Sequence, residues 1–164
     1  MPATPAWPPS SLPRLYLDEA LSENATLTLD GAPANYLANA LRLGPGGHDK
    51  LFDDRTGEWL AELTEAGKKR ISLRLTAHLR ERETVPDLWL LFARIKRGRI
   101  DWIVEKATEL GVARLVPVLT RRTIVDRVNT DRLRAHMVEA AEQCEGTPLP
   151  ELAEPRKLES LLAH

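Results

Sequence analysis

The sequence predicts a two-domain chain, an α+β domain built on a small β-barrel followed by an incomplete α/β domain. Three observations predict it. The first half carries several short alternating strands broken by turn residues, with one helix among them. The second half opens on a continuous apolar run, LWLLFA at 88–93, of the kind that forms a parallel strand covered on both faces. That run leads through an amphipathic helix into another apolar strand, which makes a βαβ unit of about 30 residues.

Residues 1–13, MPATPAWPPSSLP, hold four prolines before Leu12 and are expected to form a disordered lead-in. The first domain is expected over 14–84. RLYL (14–17) and ATLTL (25–29) alternate like strands. DGAPANYLANALRLG then reads as a helix: Asp30 can cap it, Pro33 suits its first turn, and Gly44 stops it. Tyr36, Leu37, Ala40 and Leu41 are expected to share its buried face. KLFD, EWLAEL and RISLRLTAHL follow as strands joined by tight turns, DRTG and EAGKK, and complete a small antiparallel barrel.

The second domain is expected over 85–164. Its first helix places Ile100, Ile103, Val104, Ala107 and Leu110 on one stripe and ends at Gly111. VARLVPVL (112–119) is the next buried strand. TDRLRAHMVEAAEQCEG is a helix with Thr130 as cap and Leu133, Met137, Ala140, Ala141 and Cys144 inward; RKLESLLA is a short closing helix. Trp89 is expected in the core, while Trp102 is equally compatible with a stacking surface. One βαβ unit and two helices offer few strands for two helix layers, so this domain reads as cut short.

The composition, 43% hydrophobic and 29% charged over 164 residues, is that of a globular protein large enough to fold without disulfides or metal. A single cysteine, Cys144, excludes an internal disulfide and fits a reducing, cytoplasmic setting. No apolar run approaches the ~20 residues of a membrane span, and no signal-peptide pattern opens the chain. The four histidines, His48, His78, His136 and His164, are isolated, none has metal-ligand spacing with Cys144, and His136 and Cys144 read as packing residues. No phosphate-binding glycine loop follows either apolar strand, and no nucleophile elbow is present.

A net charge of −1 hides a strong segregation: residues 1–67 sum to −6, 68–134 to +9 and 135–164 to −4. Within the basic block, Arg94, Lys96, Arg97 and Arg99 crowd the start of a helix, where the macrodipole disfavours cations. A phosphate reverses that sign, because the helix N-terminus and the guanidinium groups both attract it. Arg121 and Arg122, after the second strand, lie at the sheet end that open α/β folds use for ligands. Lys96, Arg97, Arg99, Arg121 and Arg122 are therefore candidate phosphate contacts on a polyanion. A solvated charged edge is the alternative.

IKRGRIDWIVEKATELGV, LVPVLTRRTIV, EAAEQC and PLPEL, with RLYL, YLANALRLGPG and LFDDRTGEWLAEL before them, resemble the RsmE family. The resemblance runs from about Arg14 to Leu152. It implies a PUA-like, RNA-binding barrel followed by a SPOUT-type domain, and a homodimer that uses S-adenosylmethionine to methylate N3 of a uridine in 16S ribosomal RNA of the small subunit. It also implies RNA contacts by Arg14 and Arg42, and pocket-lining roles for Glu142 and Gln143. A solvated helix face is the alternative for Glu142, and Lys106 and Glu109 are expected to pair. No catalytic base is assigned.

The family binds its cofactor in a C-terminal knot, with a Gly-Pro-Glu-Gly-Gly type loop and a later Leu-Gly…Arg-Ile-Leu-Arg type stretch. Neither occurs before His164, so no cofactor-binding residue is expected in these 164 residues and the chain alone is expected to be inactive. A stand-alone RNA-binding module descended from such an enzyme is the alternative. The chain also departs from the family at Gly146, where the pattern has arginine, and at Asn35, where a histidine is frequent.

Overall fold

The structure is a computed structural model that describes residues 12–93, 95, 97–122 and 128–163; of Arg97 only the backbone is described. The expected lead-in therefore lies, up to Ser11, outside the described residues. The chain divides into two units, Met1–Arg82 and Glu83–His164.

The first unit is one five-stranded sheet. Its strands are β1 (Arg14–Tyr16), β2 (Thr26–Asp30), β3 (His48–Asp53), β4 (Gly57–Ala66) and β5 (Arg70–Arg80), in the order β1-β3-β4-β5-β2. β2, β3, β4 and β5 pair antiparallel, but β1 runs parallel to β3, Leu15 opposite Leu51. The expected all-antiparallel barrel is thus a mixed sheet with β1 and β2 at its edges. The reason is connectivity: β2 and the helix lie between β1 and β3 in the chain, and a long crossover permits the parallel pairing. Two-residue alternation sends Ile71, Leu73 and Leu75 of β5, and Ala61 and Leu63 of β4, into one core with Leu51.

The β3–β4 turn requires a glycine. Gly57 has φ +105°, and a Cβ there would collide with the backbone carbonyl of Arg80. At the other end of β4, the Gly67 N–H donates to the Arg70 carbonyl at 2.8 Å, which leaves Lys68 and Lys69 as the tip of the β4–β5 turn.

α1 (Gly31–Asn35) winds directly into a wider turn, Tyr36–Ala40, closed by an i to i+5 bond from Leu41 N–H to Tyr36 C=O at 3.0 Å. Asp30 occupies the N-cap position without a side-chain capping bond. The buried face is Ala34 and Leu37 with Ala38 and Leu41 beside them, whereas Tyr36 and Ala40 are exposed. The expected face was displaced because spacings of three, four and seven from Ala34 define the stripe that meets the sheet.

The second unit is a parallel sheet with helices. β6 (Trp89–Ala93), α2 (Arg97–Glu109) and β7 (Arg114–Leu119) form the expected βαβ unit. α3 (Thr130–Cys144) follows, then β8 (Glu151–Leu152), β9 (Arg156–Lys157) and α4 (Leu158–Leu162). β7 is central: β6 pairs along one side, and β8 and β9 share the other. The sequence predicts two strands here and the structure has four among the described residues, because a two-residue strand carries no readable period.

Pro117 explains why β8 and β9 are separate. The carbonyls of Ala113 and Leu115 accept from Glu151 and Ala153 N–H, both at 2.9 Å, so Pro117 faces the same side. It has no N–H to offer, and Pro155, which stands next in that series, has none either. The register slips by one residue across this point, from Leu115 opposite Leu152 to Val118 opposite Arg156.

Ile100, Val104 and Ala107 of α2 are buried, and the Thr108 hydroxyl returns to the Val104 carbonyl at 2.8 Å. Gly111, at φ +75°, ends the helix. Leu110 belongs to that terminating turn rather than to the apolar stripe and is 82% exposed. Trp89 corrects a second expectation. It is 44% exposed because the face of β6 that Trp89 shares with Leu91 is uncovered among the described residues, while Phe92 on the other face is buried, so the strand is covered on one face and not on both. Its ring is held by Arg114 at 4.2 Å and by its own N–H on Asp87 at 2.7 Å.

α3 buries Leu133, Met137, Ala140 and Ala141 as expected, but Cys144 is exposed in the last turn. Its cap is Asn129 rather than Thr130: the Asn129 side chain accepts from Arg132 N–H at 3.0 Å. Replacing Asn129 by alanine is expected to destabilise the second unit by about 1 kcal/mol, read as a small fall in the urea midpoint; no change would show that water replaces the cap.

Candidate nucleic-acid interface

Parallel pairing decides where the charged residues meet. Ala93 lies opposite Val118, so the chain leaving β6 and the chain leaving β7 emerge at the same, carboxyl, edge of the sheet. The start of α2 and the Arg121–Arg122 turn are therefore brought to one edge. Arg94 and Lys96 lie outside the described residues, as does the Arg97 side chain; Arg99 is exposed in the first turn of α2, which contains no acidic residue.

The nearest carboxylate along the helix does not neutralise it. Asp101 is taken by α3, through an ion pair with Arg132, and His136 Nε2 lies 3.6 Å from the same carboxylate. His136, read as a packing residue, is thus half-buried beside a carboxylate. Arg99, Arg121 and Arg122 have no carboxylate within ion-pair distance among the described residues. Trp102 is exposed to 61% on the same helix.

Two further cations stand at this edge, and the sequence reading missed them. β9 pairs with the last residues of β7, which places Arg156 and Lys157 at the carboxyl edge, both exposed. The PRK triplet was the available signal, but it lay in a stretch read as the lead of a helix.

The remaining candidates lie elsewhere. Arg14 is no surface cation: its side chain is 2% exposed, bonds the Glu58 carboxylate through Nε and stacks over Phe52 at 4.1 Å. Burial with a carboxylate partner removes it from the RNA contacts. Arg42 is exposed in the loop after α1, in the left-handed region at φ +54°. Glu142 is half-buried and Gln143 exposed near the end of α3. α3 starts from the carboxyl edge and returns the chain to β8, so at 1.5 Å per residue Glu142 lies about 18 Å along the axis from Thr130. The structure does not bring Glu142 and Gln143 to the basic edge. Lys106 pairs with Glu109 at 2.8 Å and Glu105 at 3.0 Å, and the hydrogen bond to Glu109, ahead of that to Glu105, raises its pKa.

In the first unit an open groove of about 660 Å³ lies between α1 and the β4–β5 turn. Asn35, Asn39, Lys68, Lys69 and Arg70 are among its lining residues, and all five are exposed. No group of three or more His, Cys, Asp or Glu among the described residues is placed to hold a metal. No helix among them is long and apolar enough to cross a membrane.

Comparison with known proteins gives the same division. Residues 81–164 match the RNA methyltransferase domain family, and residues 29–76 match the RNA methyltransferase PUA domain. Ribosomal RNA small subunit methyltransferase E of Rickettsia conorii is 33% identical over 133 residues, 80% of this chain and 54% of that protein. Its namesake from Synechocystis is 32% identical over 133 residues, 80% of this chain and 44% of its own length. The chain thus spans about half the length of these curated relatives. Among solved structures, ribosomal RNA small subunit methyltransferase E from Neisseria gonorrhoeae, bound to S-adenosyl methionine, superposes with a TM-score of 0.80 at 27% identity. That match covers 92% of this chain and 64% of the other.

Proposed function

Because the chain belongs to the RNA methyltransferase family, we propose that it serves S-adenosylmethionine-dependent N3-methylation of a uridine in 16S ribosomal RNA, and that these residues supply the hold on the RNA. The observation that carries this reading is the carboxyl edge of the second unit. Exposed Arg99, Arg121, Arg122, Arg156 and Lys157 converge there, without carboxylate partners among the described residues. Lys96 and Arg97 extend the same cluster in sequence, and Arg42 adds a contact from the first unit. A phosphodiester backbone supplies the missing negative charge and gains from the helix N-terminus as well.

The methyl donor supplies an electrophilic methyl group, and N3 must lose its proton as it attacks. The groove of the first unit does not fit that donor, since its sulfonium would face Lys68, Lys69 and Arg70. What the described residues contribute is RNA binding and orientation. The same reading makes the working protein a cytoplasmic homodimer that acts on the small subunit.

Replacing Arg99, Arg121 and Arg122 together by alanine is expected to weaken binding of a 16S ribosomal RNA fragment by about tenfold or more and to reduce the log–log salt slope by about 2, at about 0.7 per phosphate contact on a single strand. The melting temperature should stay within about 2 °C, because all three side chains are exposed. Unchanged affinity and slope would overturn the assignment of this edge.

A further inference from the structure

We propose that Glu83 and Thr147 form a clamp that makes residues 83–88 part of the second unit and leaves the peptide between Arg82 and Glu83 as the one joint between the units. The two act as positioning residues for an RNA held by both units. That second part rests on the reading that this protein engages RNA; the clamp itself does not.

The chain passes from the first unit to the second within residues 81–88, which form neither helix nor strand. By composition alone, a stretch of this length with a proline in it would be a loose linker. The structure anchors it from both sides. In the first unit, β5 keeps its register as far as Arg80, opposite Glu58, and the backbone of residues 80–82 passes so close to Gly57 that a Cβ there would collide with it. The Arg82 side chain adds a bond from Nε to the Asp54 carbonyl at 2.6 Å.

In the second unit, Glu83 N–H donates to the Thr147 hydroxyl at 2.8 Å, and Thr147 N–H donates to the Glu83 carboxylate at 3.2 Å. Each side chain satisfies the other residue's backbone, the reciprocal pattern of a helix capping box, here between residues 64 apart in the chain. Thr147 is wholly buried, so the bond to its hydroxyl is shielded from competing water. Further along, Val85 lies where a Cβ on Gly111 would touch it at 3.5 Å, and the Leu88 carbonyl accepts from Ala113 N–H at 2.9 Å. The second unit therefore holds the stretch at Glu83, at Val85 and at Leu88. Arg82 belongs to one unit and Glu83 to the other, so the joint has only two soft dihedrals, ψ of Arg82 and φ of Glu83.

The length of that joint sets how well two RNA-contacting units work together. Once one unit holds the RNA, the other meets it at an effective concentration that falls roughly as the −3/2 power of linker length. Opening the clamp lengthens the joint into the stretch before Leu88 and dilutes the second contact.

The test follows amide exchange by NMR in the full 164-residue chain, wild type against T147V, T147S and E83A. T147V removes the hydroxyl at nearly constant volume, T147S keeps it, and E83A changes an exposed side chain that the fold does not need. In the wild type the Glu83 amide is expected to exchange at least about a hundredfold more slowly than in an open chain. T147V should speed that exchange about tenfold and T147S by less than about twofold. E83A should speed exchange at Thr147 about tenfold, with the amides of β7 unchanged. An unprotected Glu83 amide in the wild type would overturn the clamp. So would unchanged exchange at Glu83 in T147V together with unchanged exchange at Thr147 in E83A.

Positioning is read on two RNAs, a 16S ribosomal RNA fragment long enough to reach both units and an oligonucleotide too short to touch more than one. T147V, which alters no charge, is expected to lose about threefold on the long RNA and nothing on the short one, and T147S to restore the loss. Equal losses on both RNAs, or none on either, would overturn the positioning role. A wild-type chain that binds neither RNA would overturn that role together with the proposed function, and the exchange measurement would still decide the clamp.

Discussion

Replacing Glu58 by alanine is expected to destabilise the first unit by about 3–5 kcal/mol, the largest effect of any single polar substitution here. Glu58, on β4, is buried, and three cations surround it. Arg14 bonds Oε2 through Nε, Arg80 Nη2 lies 3.4 Å from the same oxygen, and Lys50 Nζ is 3.9 Å from Oε1. The side chains of Arg14 and Lys50 are almost wholly shielded from water. Removing the carboxylate leaves two buried positive charges facing each other in a medium that solvates them poorly. For a unit of this size each kcal/mol moves the melting temperature by about 4–8 °C, so calorimetry should show a fall of about 12–40 °C. Glu58→Gln keeps the volume and two dipoles and should cost about half as much. A fall of less than about 4 °C in Glu58→Ala would show that the cluster does not depend on its carboxylate.

Asp53 governs the second large effect, and this one depends on pH. Its buried carboxylate accepts from Leu21 N–H at 2.8 Å, Arg55 N–H at 2.6 Å, Thr56 N–H at 2.5 Å and the Thr56 hydroxyl at 2.5 Å. Thr56 in turn accepts from the Trp59 indole at 2.9 Å, so one carboxylate organises the whole β3–β4 turn. Burial pushes its pKa up, but the bonds from the Thr56 hydroxyl and from the Thr56, Leu21 and Arg55 amides outweigh burial and hold it below the ordinary 3.8. The folded value is below the unfolded one. The stabilisation is therefore fully present above about pH 4 and is lost as pH falls through the folded value. Asp53→Asn places an amide N–H against donors and is expected to cost about 2–4 kcal/mol at pH 7. In urea titrations the gap between wild type and variant should narrow at pH 3; a gap of constant size would show that the charge does not hold the turn.

How far the sequence could be read depended on the length over which a pattern repeats. β4 and β5, ten and eleven residues long, alternate for long enough to declare their inner faces, and α3 shows its buried stripe for the same reason. β8 and β9, at two residues each, show no period and were missed. Trp89 and Leu91 are apolar in an apolar run, yet exposed, because residue type does not tell a strand covered on one face from a strand covered on both. Arg14 is the converse. A cation in a strand reads as surface until the structure sets Glu58, 44 residues away, against it.

The basic edge was legible in part, through RIKRGR and TRR, since strand–helix–strand order fixes which ends coincide. Arg156 and Lys157 join it only through β9, and the groove depends on folding α1 beside a turn more than thirty residues later. Such meetings carry no local signature.

Pro117 has a consequence for alignment. Parallel strands lack a hairpin turn to set how far one slides along its neighbour, and strands of two residues are too short to index themselves. A slide of the 151–157 segment by two residues would keep its inward faces correct, yet it would bring a paired residue opposite a ring nitrogen that cannot donate. Only one offset sets the gap between Leu152 and Arg156 at Pro117, with Pro155 in that gap. The two rings act as tooth and notch, so this stretch of the sheet locks at a single offset.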